Sequence, residues 1–280
     1  MTATPATTRS GLRGWVGNEG IGVLAIRTFA LAVLAILLAP LIVLVAASFS
    51  ASDYVSFPPR GLSLKWYAKF FTDPAFVNSL ILSLEIAAAA SVIATVLGFP
   101  AAYILVRMQF PGRRLAWTLL LSPLLVPQII LGVALLQVFT ILGMATTFAV
   151  LLLAHVVSVM PYVIRTVGAS LQLVDRSVEE AAADLGATRI EVMALVVAPM
   201  IRSGLIAGAL FAFIMSWVNV EISIFLGVTG GYTLPVVLFN FIEYSITTVV
   251  VVAASVAIYV ALALVLVVDR ILGIDSAAKM

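Results

Sequence analysis

Residues 175–202 read DRSVEEAAADLGATRIEVMALVVAPMIR, a charged block inside an otherwise apolar chain. Two helix starts stand in it back to back: Ser177 lies three residues before Glu180, and Thr188 three residues before Glu191. Each pair has the spacing of a capping box, in which hydroxyl and carboxylate take up backbone N–H groups that a helix start leaves free. Gly186 between them predicts a left-handed stop for the first helix. Pro199 marks the end of the second, or the start of whatever follows it. Val178, Ala181, Ala182 and Leu185 fall on one helical face, and Ile190, Met193, Ala194 and Val197 on another. The block predicts two short amphipathic helices joined by a glycine elbow and held outside a membrane. A helix of ~8 residues is unstable alone, so the block must pack on its own chain or on a partner.

The rest of the chain sets the context. Of 280 residues 63% are hydrophobic and only 10% are charged, and the mean hydropathy is +1.22. A soluble domain cannot bury that much apolar surface. The fold class is therefore an all-α polytopic membrane protein. A pI near 9.0 with net charge +2 does not mark a nucleic-acid binder, because the basic residues do not gather on one soluble face; membrane orientation accounts for them. The absence of cysteine excludes disulfides, zinc–thiolate sites, iron–sulfur clusters and thiol nucleophiles. His155, the single histidine, leaves no histidine-rich metal site.

Residues 1–26 are polar and are expected to form a cytoplasmic N-terminal tail. Six apolar segments follow, at 28–47, 76–106, 115–141, 147–167, 200–226 and 246–268, each long enough to cross a bilayer. The first is longer than the h-region of a cleaved signal peptide. Together they make a membrane domain over 27–270, with a cytoplasmic tail over 271–280. Residues 48–74 and the glycine-rich stretch holding Gly227, Gly230, Gly231 and Pro235 read as loops, and Pro111-Gly112 as a tight turn. Six crossings place both termini on one side. Twelve of the fifteen basic residues then share that side, and Arg60, Lys65 and Lys69 face the other. The termini and the charged block are thus expected in the cytoplasm of a bacterium, with the chain in its inner membrane.

Glu180-Ala181-Ala182, Gly186 four residues on, and Val196-x-Ala198-Pro199 after nine more resemble the EAA signature of permease subunits in binding-protein-dependent ABC importers. The family pattern ends in Ile-x-Leu-Pro, so Val196 and Ala198 are apolar departures. The resemblance implies the type I importer fold, with 175–199 as the loop that docks in a groove of a separate ATPase. Glu179, Glu180, Ala181, Ala182, Asp184, Leu185, Gly186, Ala187 and Pro199 are the coupling residues it implies. It also implies a homologous second permease, two ABC ATPase subunits, an extracytoplasmic solute-binding protein, and ATP and Mg²⁺ bound by the ATPase. No phosphate-binding G-x-x-x-x-G-K-[ST] loop is present in this chain, so it is expected to carry no cofactor and not to be an enzyme. Gly61-Leu62-Ser63-Leu64-Lys65-Trp66-Tyr67, Asp184-Leu185-Gly186-Ala187, Ser122-Pro123, and His155 with Pro161 resemble the spermidine/putrescine subfamily, which also handles opines and aminoethylphosphonate.

Ionisable groups inside a span cost ~2.5–3.5 kcal/mol on insertion scales and face a pathway or a partner. Glu85 and Glu221 are the two intramembrane carboxylates. Ser216, Asn219 and Ser223 make a polar stripe on the fifth segment, with Trp217 and Glu221 beside it. Ser216, Trp217, Asn219, Glu221 and Glu85 are therefore the expected substrate pathway for a small amine or zwitterion. The polyamine members carry adjacent acidic residues where Val218 and Asn219 stand here, so either Glu221 substitutes for the lost charge or the cargo is less strongly cationic. His155 reads as an interhelical hydrogen-bonder, and Pro123, Pro127 and Pro161 as kinks. Two rivals remain on residues alone: an ion-coupled secondary transporter using both carboxylates, and a membrane scaffold whose charged block recruits a partner.

Overall fold

The computed structural model describes residues 12–229, 231–244 and 247–272. Helices α1 (Leu12–Ser48), α3 (Pro74–Arg107), α6 (Phe148–Gln172) and α12 (Thr248–Leu272) are each long and apolar enough to cross a membrane. α1 begins at Leu12, so helix reaches back into the segment expected as a tail, although the candidate span itself starts at Gly22. Residues 1–11 and 273–280 lie outside the described part, as does Gly230.

Two of the six expected crossings are not continuous helices. The third is α4 (Arg113–Leu121) with a 3-10 turn at Ser122–Leu124, then a break, then α5 (Gln128–Ile141); its halves meet at 108°. Pro123 and Pro127 flank the break, and a prolyl ring cannot donate to or continue the preceding turn. The fifth is α9 (Arg202–Trp217), a break at 218–220, and α10 (Glu221–Phe225). α9 alone, 16 residues long, spans about 24 Å at 1.5 Å per residue, short of a full crossing. Pro161 sits inside a continuous α6.

Small residues decide how closely the central helices pack. Ala90, Ala94, Gly98 and Ala102 recur every four residues on α3, and Gly204, Gly208 and Ala212 do the same on α9; all are buried. Without bulk on these faces both helices close on α6, the arrangement small-residue stripes allow in lipid. A Cβ at position 98 would stand 3.0 Å from Val163 Cγ1, and one at 204 would stand 2.6 Å from Ser170 Cβ. Ser91 Oγ donates to Ala209 O at 2.7 Å and ties α3 to α9. Val159, Val163, Ile164 and Val167 of α6 complete the core.

The far end is capped by two helices the sequence does not announce. α2 (Lys65–Thr72) lies in the stretch expected as loop, and α11 (Leu234–Tyr244) begins within the glycine-rich segment. Phe70 and Phe76 pack there with Leu234, Val249 and Val250. Leu234 N–H donates to Ser83 Oγ at 2.7 Å, so the chain before α11 dips beside α3. Thr229 N–H reaches Thr146 O, and Arg107 reaches Val174 O, at opposite ends of α6. The broken segments therefore do run from one end of the bundle to the other, and the described residues make six passages, four of them single continuous helices.

Candidate functional site

The charged block forms α7 (Arg176–Asp184) and α8 (Arg189–Met200), the latter carrying a π turn over Val192–Val197. α7 is capped by Asp175, not by the Ser177–Glu180 box. The Asp175 carboxylate accepts the Ser177 N–H at 3.0 Å from an extended backbone, φ −66° and ψ 136°. A charged acceptor two residues upstream suits the positive end of the helix better than a hydroxyl. That hydrogen bond also holds the Asp175 carboxyl below its usual range. The second box forms as the spacing predicts. Thr188 Oγ1 accepts the Glu191 N–H at 3.3 Å, and Glu191 Oε2 accepts the Thr188 N–H at 2.7 Å, which lowers the Glu191 pKa.

Gly186 is the elbow, at φ +92°. Ala187 N–H reaches Ala182 O at 3.1 Å and Gly186 N–H reaches Ala183 O at 2.9 Å, the paired bonds of a Schellman stop. Pro199 marks the end of the second helix: its ring sits in the last turn, which closes at Met200, and the chain bends by 83° at Ile201 before α9. Apolar residues of the block divide between two directions. Val192 and Val197 are buried, and Ala182 and Ala187 pack on the core. Leu185, Ile190 and Leu195 are 90%, 74% and 72% exposed, and Glu180, Ala181, Asp184 and Pro199 are exposed with them.

Glu179 turns inward. Its Oε1 lies 2.7 Å from Arg107 Nε, close but off the hydrogen-bond axis, and its Oε2 accepts from Tyr103 OH at 2.7 Å. Arg107 also donates from Nη2 to Val174 O at 2.8 Å. In return Arg176 of α7 donates to Val106 O and Arg107 O, and Arg113 donates to Leu105 O at 2.6 Å. Arginines thus satisfy the last carbonyls of α3, which a helix end otherwise leaves unpaired.

Within the membrane layer, the expected pathway residues take different positions. Ser216 is buried against His155 Nδ1 at 2.7 Å. Trp217 is buried, stacks on Phe213 and donates from Nε1 to Ala257 O at 3.3 Å. Asn219 lies in the break of the fifth passage, not on a helix, so the stripe read from 3.6-residue periodicity is interrupted there. Its Oδ1 accepts the Ile222 N–H at 2.9 Å and its carbonyl accepts from Ser223 Oγ at 3.0 Å. Glu221 is half-buried, with Oε2 3.3 Å from Val220 N; Glu85 is exposed on α3. Neither carboxylate has an ion-pair partner among the described residues, whose two ion pairs are Lys65–Asp53 and Arg107–Glu179.

Residues 94–274 match the family described as binding-protein-dependent transport system inner membrane component. The chain belongs to this family. This permease is 36% identical over 221 residues to the putrescine transport system permease protein PotI of Escherichia coli K12, covering 75% of this chain and 77% of that one. It is 32% identical to the spermidine/putrescine transport system permease protein PotC of Haemophilus influenzae, covering 85% and 92%. A bacterial alginate ABC transporter, solved with an alginate-bound periplasmic protein, has the same fold at a TM-score of 0.65 and 12% identity, over 92% of this chain and 96% of that one. The permease is a transport subunit, not an enzyme, and ATP hydrolysis belongs to a separate ATPase. Membership favours the ATP-driven importer over the secondary transporter and the scaffold.

Sequence reasoning placed the permease's loop but missed what anchors it. Tyr103 and Arg107 show in the sequence only as the end of a span, because their contact with Glu179 lies across more than seventy positions of chain. Gln128 and Ser158, joined at 3.0 Å, carried no signal either. His155 is the interhelical hydrogen-bonder expected of it, 1% exposed with both ring nitrogens engaged.

Proposed function

We propose that the permease forms half of the translocation pathway of an importer for a small polar amine or zwitterion. A second homologous permease supplies the other half, two ATPase subunits bind ATP and Mg²⁺ and dock on 175–199, and an extracytoplasmic binding protein delivers the solute. The coupling loop then lies in the bacterial cytoplasm with both termini, as the distribution of basic residues suggests.

One observation carries the choice of cargo. Glu85 and Glu221 lie on segments read as membrane passages, with no basic partner among the described residues. Carboxylates so placed are tolerated where they face a water-filled path or a partner subunit, and a passing ammonium group complements them. The putrescine and spermidine/putrescine relatives support the same class of solute.

For docking, the support is that Leu185, Ile190 and Leu195 stay exposed on a loop that also exposes Glu180 and Asp184. Large apolar side chains left uncovered among charged ones fit a protein groove better than water. The test is co-purification with the four partner subunits, then reconstitution with ATP inside proteoliposomes and radiolabelled putrescine outside. ATP-dependent uptake that needs the binding protein is expected, with Glu221→Gln raising the solute KM. Uptake by this chain alone on an ion gradient would overturn the reading.

A further inference from the structure

The two interrupted passages are tied to a single turn of α6. His155 Nδ1 lies 2.7 Å from Ser216 Oγ, in the last turn of α9, and Nε2 lies 3.0 Å from Ser223 Oγ, in α10. One ring therefore spans the break at 218–220. Three residues along, Ser158 Oγ donates to Gln128 Oε1 at 3.0 Å, and Gln128 is the first residue of α5, just after the break in the third passage. The two broken elements also touch each other. A Cβ at Gly132 of α5 would stand 2.9 Å from Phe225 Cδ2 and 3.0 Å from Glu221 O.

The proton positions follow from counting hydrogens. A serine hydroxyl has one hydrogen, and that of Ser223 goes to Asn219 O at 3.0 Å. With that assignment Ser223 Oγ accepts from a neutral His155, which places the imidazole proton on Nε2 and leaves Nδ1 to accept from Ser216. With the Ile222 N–H on Asn219 Oδ1, a directed chain runs Ser216, His155, Ser223, Asn219. It bypasses the missing helical turn and leaves few of its polar groups bare, as hydrocarbon requires. Removing one member leaves a buried partner unsatisfied.

We propose that His155 and Ser158 are positioning residues that latch both interrupted passages to α6, so that the segments bearing Gln128 and Glu221 move as one body during transport. This rests on the reading that those passages line the solute pathway. It makes a specific demand on residue 155: an asparagine reaches only the Ser216 side and a glutamine only the Ser223 side, so neither bridges.

The chain lacks cysteine, so nitroxides can be placed at Leu125→Cys and Ile224→Cys, positions 81% and 38% exposed beside the two breaks. Spin–spin distances are measured in the complete transporter without nucleotide and with ATP–vanadate. The expected result is one narrow distance shared by both states. His155→Asn, His155→Gln and Ser158→Ala should broaden it and lower uptake per ATP hydrolysed by roughly fivefold, the equivalent of one hydrogen bond. Ser158→Thr, which keeps the hydroxyl, should restore both. A wild-type distance that changes between states, or a His155→Asn complex with unaltered distance and coupling, would overturn the latch. Failure of the importer reading looks different: the wild-type complex would then show no ATP-driven uptake.

Discussion

Arg107 Nε lies 2.7 Å from Glu179 Oε1, with the two side chains only 9% and 11% exposed. This contact joins the end of the second passage to the first helix of the charged loop. Tyr103 holds the other carboxylate oxygen, and Arg176 returns the link by capping Val106 O and Arg107 O. α7 is therefore fastened to α3 by side chains as well as joined through α8 to α9 by the chain.

Removing one member of this pair strands a buried charge, at a cost of about 3–5 kcal/mol. Arg107→Met and Glu179→Met are each expected to lower the melting temperature and the uptake per ATP. The double variant should regain most of the stability while coupling stays low. Thermal unfolding and proteoliposome uptake measure both, and a double variant as unstable as the singles would contradict the pairing.

Gly186 adopts φ +92° with no atom within 4 Å of where a Cβ would be, so substitution there tests backbone strain without a clash. Placing an L side chain in this region costs about 1–2 kcal/mol. Gly186→Val should loosen the elbow and uncouple hydrolysis from uptake, and Gly186→Asn, which tolerates the left-handed region, should retain more coupling. Equal uptake by Gly186→Val and wild type would refute a role for the elbow.

Leu185 and Ile190 contribute little to the fold of this chain, being 90% and 74% exposed. Leu185→Asp and Ile190→Asp are expected to leave the unfolding free energy of the isolated permease within about 0.5 kcal/mol of wild type. Co-purification of the ATPase should fall sharply. If the ATPase still binds at wild-type levels, these exposed side chains are not its seat.

Gly132 lets α5 lie against α10. Gly132→Ala forces Phe225 and the Glu221 carbonyl outward, an overpacking worth typically about 1–3 kcal/mol. Uptake should drop, and Phe225→Ala should restore part of it by freeing one of the two contacts. Full rescue is not expected, because the Glu221 carbonyl belongs to the backbone and cannot be trimmed.

Much of the charged loop was legible. Thr188 with Glu191, and Gly186 between the helices, act through neighbours within five residues, so spacing alone carries the information. Asp175 displaced Ser177 as the cap because two good acceptors competed and the charged one came earlier. The exposed apolar side chains were not legible as such, since Val178, Ala182, Leu185 and Ile190 look alike until packing chooses which face inward.

The apolar runs determine that the chain makes six passages, because hydrocarbon admits only backbone that is satisfied internally. Composition likewise places the charged loop between the fourth and fifth passages. Only tertiary structure decided that the third and fifth are broken. A break is tolerable when side chains elsewhere satisfy and hold its ends, and those side chains, His155 and Ser158 among them, are far away in the chain. For the same reason Ser216, Trp217 and Asn219 are buried and hydrogen-bonded within the chain, while Glu85 and Glu221 were left without a basic partner among the described residues.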